Sequence, residues 1–246
     1  MWEFCIIIDE NDKEIYTYVY SKLLELCGVY DAILVDLKGD NKIKILISCN
    51  NIYKQRFKNF IKKVISEVIC TIIKKEFLLY NINFFNISKV TKDEIVQALI
   101  CFDLATDEYI AEKRIDVEGS SLDIRALYYF KQIQLRDKWE ELVIISNENS
   151  NIFSSEEYVN DFLKFIVENM EYSYELINVV KDNGQISLYD SNFNKLEFTC
   201  TEENLIKTLI VCNPKRIAIM NTNDVDKKTL LKLDKIFTRK VVYDQK

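Results

Sequence analysis

Nine apolar residues between Phe57 and Ile73 constrain this chain more than any other feature. Phe57, Phe60, Ile61, Val64, Ile65, Val68, Ile69, Ile72 and Ile73 alternate steps of three and one. That spacing draws one wide apolar stripe along a helix, and a stripe so wide must be covered. The chain therefore needs a core built around this helix or a partner that packs on it.

Other elements follow from periodicity and turn residues. "EFCIII", Glu3–Ile8, reads as a buried strand, and Ile15, Val19, Leu23 and Leu26 mark a helix that Gly28 is expected to stop. "AILVDL" and "KIKILIS" flank the turn residues "KGDNK", a hairpin. Residues 1–52 thus form a small β-α-β-β module. Residues 53–172 read as a helical core. Thr91 with Glu94 has the spacing of a capping box, and Ser154 with Glu157 repeats it. One helix is expected from about Asp123 to Ser146, with "DVEGSS" before it as an internal boundary. Residues 173–246 form a C-terminal α/β layer. "YELINVV" and "QISLYD" flank "KDNG" as a hairpin, "KLEF" is a candidate third strand, and "RIAIM" and "KVVYD" are strands separated by helices. The fold class is α+β.

Composition restricts the chemistry. The chain of 246 residues contains no histidine, so the usual neutral-pH base, the common zinc ligand and any Ser-His or Cys-His pair are missing. Only four glycines occur, too few for a glycine-built phosphate loop. None of the seven cysteines forms a Cys-x-x-Cys pair, and most lie in apolar runs, as buried reduced thiols do. The net charge of −6 argues against general nucleic-acid binding. No signal peptide and no membrane span are expected, so the location expected is cytoplasmic. No catalytic residue, cofactor or metal ligand is assigned.

Three groups of residues stand out. Lys54, Arg56, Lys58, Lys62 and Lys63 make the start of the striped helix basic, while residues 139–175 are acidic. With Arg136 and Trp139 these cations are the candidate interaction residues for an unknown protein partner, a second copy of the chain included. Arg125 and Arg136 have the chemistry of a carboxylate or phosphate clamp, or of ordinary salt bridges. Asp103 and Asp107, four apart, read as a solvated helical face, because a di-metal site in a bundle would also use histidine. Near the single proline, "VCNPKRIAIMN" (Val211–Asn221) reads as a helix end, a basic pair matched to the helix dipole, and a core strand. Any ligand there is expected at Asn221, Thr222, Asn223 and Asp224, beyond the strand's carboxyl end, where those residues also suit a helix cap.

A succession of segments resembles the YtxC family of sporulation proteins of spore-forming Firmicutes. It consists of "FIKKVISEVICTIIKKEFLLYNINFF", "FKQIQLRDKWEEL", "EEYVNDFLKFIVENM", "NGQISLYDSNFNKL" and "LIKTLIVCNPKRIAIMN", in the family's order over about residues 55–240. The resemblance implies a cytoplasmic, sporulation-associated protein and brings no reaction, cofactor or catalytic residue with it. The expectation is a non-enzymatic protein acting through protein contacts. The alternative is a regulator that binds a small anionic metabolite or nucleotide.

Overall fold

A computed structural model describes residues 1–84, 87–150, 153, 155–182, 184–220 and 225–243. The fold is α+β, in two compact units. The first comprises Met1–Tyr80 and Leu104–Ile144, the second Asn81–Asp103 and Ile145–Lys246. The helices of residues 53–172 are thus divided between the units.

In the first unit, β1 (Trp2–Asp9), β2 (Ile33–Gly39), β3 (Lys42–Cys49) and β4 (Ser121–Asp123) form a sheet of order β2-β3-β1-β4. β1 runs antiparallel to β3 and parallel to β4. Alternation puts Phe4, Ile6 and Ile8 of β1 and Ile45 and Ile47 of β3 on the buried face, with α1 (Lys13–Tyr30) supplying Ile15, Val19 and Leu23. The β2–β3 turn is two residues, Asp40 and Asn41, both at positive φ, the geometry that matches strand twist. Helix α1 runs through Gly28 and stops at Asp31, which takes the left-handed conformation and donates its N–H to Cys27 O. β4 lies in the "DVEGSS" boundary region; three residues are too few to show a period.

The apolar stripe explains an irregularity. Residues 57, 61, 65, 69 and 73 recur every four positions, whereas an α-helix turns in about 3.6 residues. Each step overshoots by about 40°, and four steps would swing the stripe by about 160°. The helix responds with a π-helical turn at Ile69–Ile73 between α2 (Lys54–Val68) and α3 (Lys74–Asn81). The wider turn returns the stripe to the core. Eight of its nine members are buried, and Phe60 is half-buried. The stripe is therefore core of its own unit, not an interface. Helices α5 (Leu104–Glu112), α6 (Ile124–Lys131) and α7 (Ile133–Glu148) follow. The helix expected over residues 123–146 breaks at Gln132, which is buried and donates its side-chain amide to Ala111 O.

In the second unit, β5 (Ile177–Asp182), β6 (Gln185–Tyr189), β7 (Ile217–Met220) and β8 (Val241–Tyr243) form a sheet of order β6-β5-β7-β8. β5 pairs antiparallel with β6 and parallel with β7, which pairs parallel with β8. "KLEF" forms no strand; Lys195 makes only an isolated bridge to Tyr189. Helices α4 (Lys89–Phe102), α8 (Glu156–Asn169), α9 (Leu205–Cys212) and α10 (Lys227–Phe237) complete the unit. Asn213 ends α9 in the left-handed region, with its N–H on Leu209 O, and Pro214 opens the path into β7. The "VCNPKR" segment is thus a helix stop and a strand start. Residues 221–224, the turn proposed for a ligand, lie outside the described residues. The cap of α10 is Asp226, whose carboxylate accepts from the N–H groups of Lys228 and Thr229.

Candidate functional site

The expected interaction residues all fall in the first unit. Lys54, Arg56 and Lys63 are exposed, and Lys62 is half-buried. Arg56 donates to the Tyr30 hydroxyl at 2.8 Å and lies over its ring. Lys58 is buried and paired with Glu118. Arg136 is half-buried, and its Nε has no hydrogen-bond partner. Trp139 is fully buried. Lys58 and Trp139 therefore belong to the interior rather than to a docking surface.

Trp139 leads to a correction. Asp107, read as part of a solvated face, is 0 % exposed. One carboxylate oxygen accepts from Lys74 Nζ at 2.6 Å and Trp139 Nε1 at 3.0 Å, the other from Lys138 Nζ at 2.7 Å. Burial pushes its acidity down, but the Lys74 charge and the three donors outweigh that and hold the carboxyl below its ordinary range. Period alone misplaced Asp107, because a charged residue on a helix is normally exposed. Arg125 takes the ordinary salt-bridge role, gripping both oxygens of Asp12 at 2.7 Å and reaching Glu76 at 2.8 Å. Among the described residues no cluster of His, Cys, Asp and Glu has the geometry of a metal site.

The second unit holds the stronger candidate. A cleft of about 530 Å³ opens among α4, α8, the start of α9 and α10. That volume suits a small molecule. Apolar wall comes from Val90, Phe153, Val159 and Ile206, and polar groups from Glu94, Asn160 and Lys232. Each arrives for a local reason. Helix α4 starts at Lys89, because Ser88 caps it and accepts from Thr91 N. Thr91 is therefore inside the helix, and Glu94 is not the capping partner its spacing suggests. Glu94 is buried on the helix's inner side and forms an ion pair with Lys232 of α10. Burial pushes the Glu94 carboxyl above its ordinary range, and the opposing pull of Lys232 does not cancel it. Glu156 and Asp93 push in the same direction.

At the rim, Glu202 accepts from Asp226 N at 2.7 Å and from Lys181 at 3.1 Å, and its carboxyl is held low, chiefly by that backbone bond. Glu156, Glu203 and Lys228 are exposed around it.

Asn160 is the unusual member. It is 2 % exposed, lies on α8 in the cleft wall, and neither its Oδ1 nor its Nδ2 has a hydrogen-bond partner. A buried primary amide left unpaired costs about 1–3 kcal/mol per group, so natural cores avoid it. Sequence reasoning missed all three polar residues. Glu94 looked like a cap, while Asn160 and Lys232 stand in amphipathic helices where a polar residue reads as solvated.

No protein-family model, curated protein or solved structure matches this chain.

Proposed function

We propose that the protein is a non-enzymatic binding protein whose cleft in the second unit takes a small, polar, uncharged or cationic molecule with an amide- or amidine-type edge. The observation that carries this is the unpartnered amide of Asn160 in the wall of the cleft. A carboxamide offers one donor and one acceptor side by side, the complement of another amide, an amidine or a nucleobase edge. The apolar residues beside it suit a flat ligand body. Around the cleft, four glutamates meet two lysines, and this excess of acid disfavours an anion. The amide atoms are closed to solvent, so ligand entry parts the side chains over them.

Binding without turnover is supported by the ion pair. Glu94 and Lys232, the interior titratable groups, neutralise each other, so neither is a free base or nucleophile. The resemblance to the YtxC family supports a role in a sporulating cell. No helix among the described residues is long and apolar enough to cross a membrane.

Isothermal titration and thermal-shift measurements with carboxamides, amidines, nucleobases and inorganic phosphate test the reading. Saturable binding of an amide-edged compound, abolished in Asn160→Leu, is expected. Binding of phosphate instead, or equal binding by Asn160→Leu, would overturn it.

A further inference from the structure

The first unit carries a separate feature, the free margin of its sheet. β2 is a terminal strand in the order β2-β3-β1-β4 and is seven residues long. Its register with β3 is unbroken from Ile33↔Ser48 to Gly39↔Lys42, so no bulge twists the edge away. It contains no proline. Edge strands are normally kept from pairing by proline, bulges, shortness or charged side chains, and the charges of β2 are two, Asp36 on the inner face, which accepts from the Tyr16 hydroxyl, and Lys38 near its end. Here the outward face is apolar instead. Ile33, Val35 and Leu37 are 56 %, 44 % and 53 % exposed, and Leu46, opposite Val35 on β3, is exposed beside them.

We infer that β2 is a self-association edge, and that its partner is β2 of a second copy, paired antiparallel about a two-fold axis through Val35. The sequence of the strand selects this occupant. With Val35 opposite Val35, Ile33 faces Leu37 in both directions, giving three apolar cross-strand pairs on the outward face. On the other face Asp36 meets Leu34 and Lys38 meets Ala32, with no like charges directly opposed. A two-fold axis perpendicular to the sheet keeps the faces aligned, so the next allowed register is a shift of the axis by one residue. That register sets Asp36 against Asp36, which repel. Shifting once more sets Val35 against Gly39 and keeps one apolar pair on that face, Leu37 against Leu37, and shifting the other way, to an axis through Leu34, leaves only Ile33, Leu34 and Val35 of the strand paired. The register through Val35 keeps the most apolar pairs on the outward face with no like charges opposed, as suits an isologous interface. The result is a continuous sheet across the pair, held by the main-chain groups that β2 otherwise presents to solvent.

The full-length chain tests this directly. Light scattering across a micromolar concentration series should show the mass rising from 29.1 kDa toward twice that value. Val35→Lys should weaken the dimer by about tenfold or more, with an unchanged far-UV spectrum. Opposed residues of an antiparallel pair lie close enough for a disulfide. Under mild oxidation Val35→Cys should cross-link to dimer. Leu37→Cys should not cross-link alone, but should do so when mixed with Ile33→Cys. A chain that stays monomeric at the highest concentration would overturn the inference. So would a dimer indifferent to Val35→Lys, or one in which Leu37→Cys cross-links as fast as Val35→Cys.

Discussion

Replacing Asp107 by Asn separates a structural carboxylate from a functional one. The substitution keeps the shape and one acceptor oxygen, but removes the charge that neutralises two lysines. Lys138 is 30 % exposed and finds water, so its loss is small. Lys74 is 1 % exposed and would keep an uncompensated charge in the core. Breaking a buried pair in this way costs about 3–5 kcal/mol. The partner substitution, Lys74→Met, should cost less, because Asp107 keeps Lys138 and Trp139. Combining the two removes both buried charges, and the double-mutant cycle should return a coupling of about 2–3 kcal/mol. Urea unfolding followed by tryptophan fluorescence is the assay. Both tryptophans, Trp2 and Trp139, lie in the first unit, so the signal reports that unit alone. Acidity adds a second readout. The Asp107 carboxyl is held low in the fold, so its stabilisation is fully present above the unfolded value of 3.8. It is lost as pH falls through the lower folded value. The gap between parent and Asp107→Asn should accordingly close at acid pH. A loss below about 1 kcal/mol, with no coupling to Lys74, would refute the reasoning.

Other outcomes follow from the second unit. Asn160→Leu should stabilise the protein by about 2 kcal/mol or more in the absence of ligand, since two unpaired amide groups leave the interior; a circular-dichroism melt checks this, and destabilisation would mean the amide is satisfied. Burial already disfavours the ionised form of Glu94, so Glu94→Gln should cost only about 1 kcal/mol or less by the same melt, whereas Lys232→Met leaves that carboxylate buried without its counter-charge and should cost about 3 kcal/mol or more, most of it recovered in Lys232→Met with Glu94→Gln. Lys240, buried against Val167 O and Asn213 Oδ1 at 3.2 Å each and over the Tyr172 ring, is lowered by burial from 10.5 to about 8. The unfolded chain holds that proton up to higher pH than the folded one, so the stability of the parent relative to Lys240→Met should rise by up to about 3 kcal/mol between pH 8 and pH 10.5. Unfolding free energies measured at several pH values check it, and a flat difference would contradict the burial argument.

The regular part of the fold was legible because its signals are local. The apolar "EFCIII" run, the "KGDNK" turn and the stripe from Phe57 each act within a few residues. Where the expectation failed, a distant contact decided. β4 exists because residues 121–123 find the free edge of β1 more than a hundred residues earlier. "KLEF" has strand composition, but the ladder beside β6 does not extend to it. Asp12 precedes α1 without capping it by its side chain, since Arg125 holds that carboxylate. The four-residue spacing of the stripe was visible, yet only the packed helix shows that a π turn absorbs its drift.

The candidate site was illegible for the same reason in stronger form. Its three telling residues come from helices that begin at Lys89, Glu156 and Lys227, and none has a partner within its own segment. In a chain without histidine, interior chemistry must come from residues that elsewhere decorate surfaces. The sequence then offers many candidates of equal appearance, and burial alone distinguishes them. Asp107 and Glu94 show how far that distinction goes. Both are buried carboxylates on lysine. Asp107 has three donors, which with the Lys74 charge outweigh burial and hold its carboxyl below the ordinary range. Glu94 has one, burial pushes its carboxyl above the ordinary range, and it lines a cleft that the unpaired amide of Asn160 lines as well. A fully satisfied charge stabilises the fold, whereas an under-satisfied polar group at a cavity is a cost that ligand binding can offset. On that criterion the second unit, not the basic helix start of the first, is where we place the proposed binding.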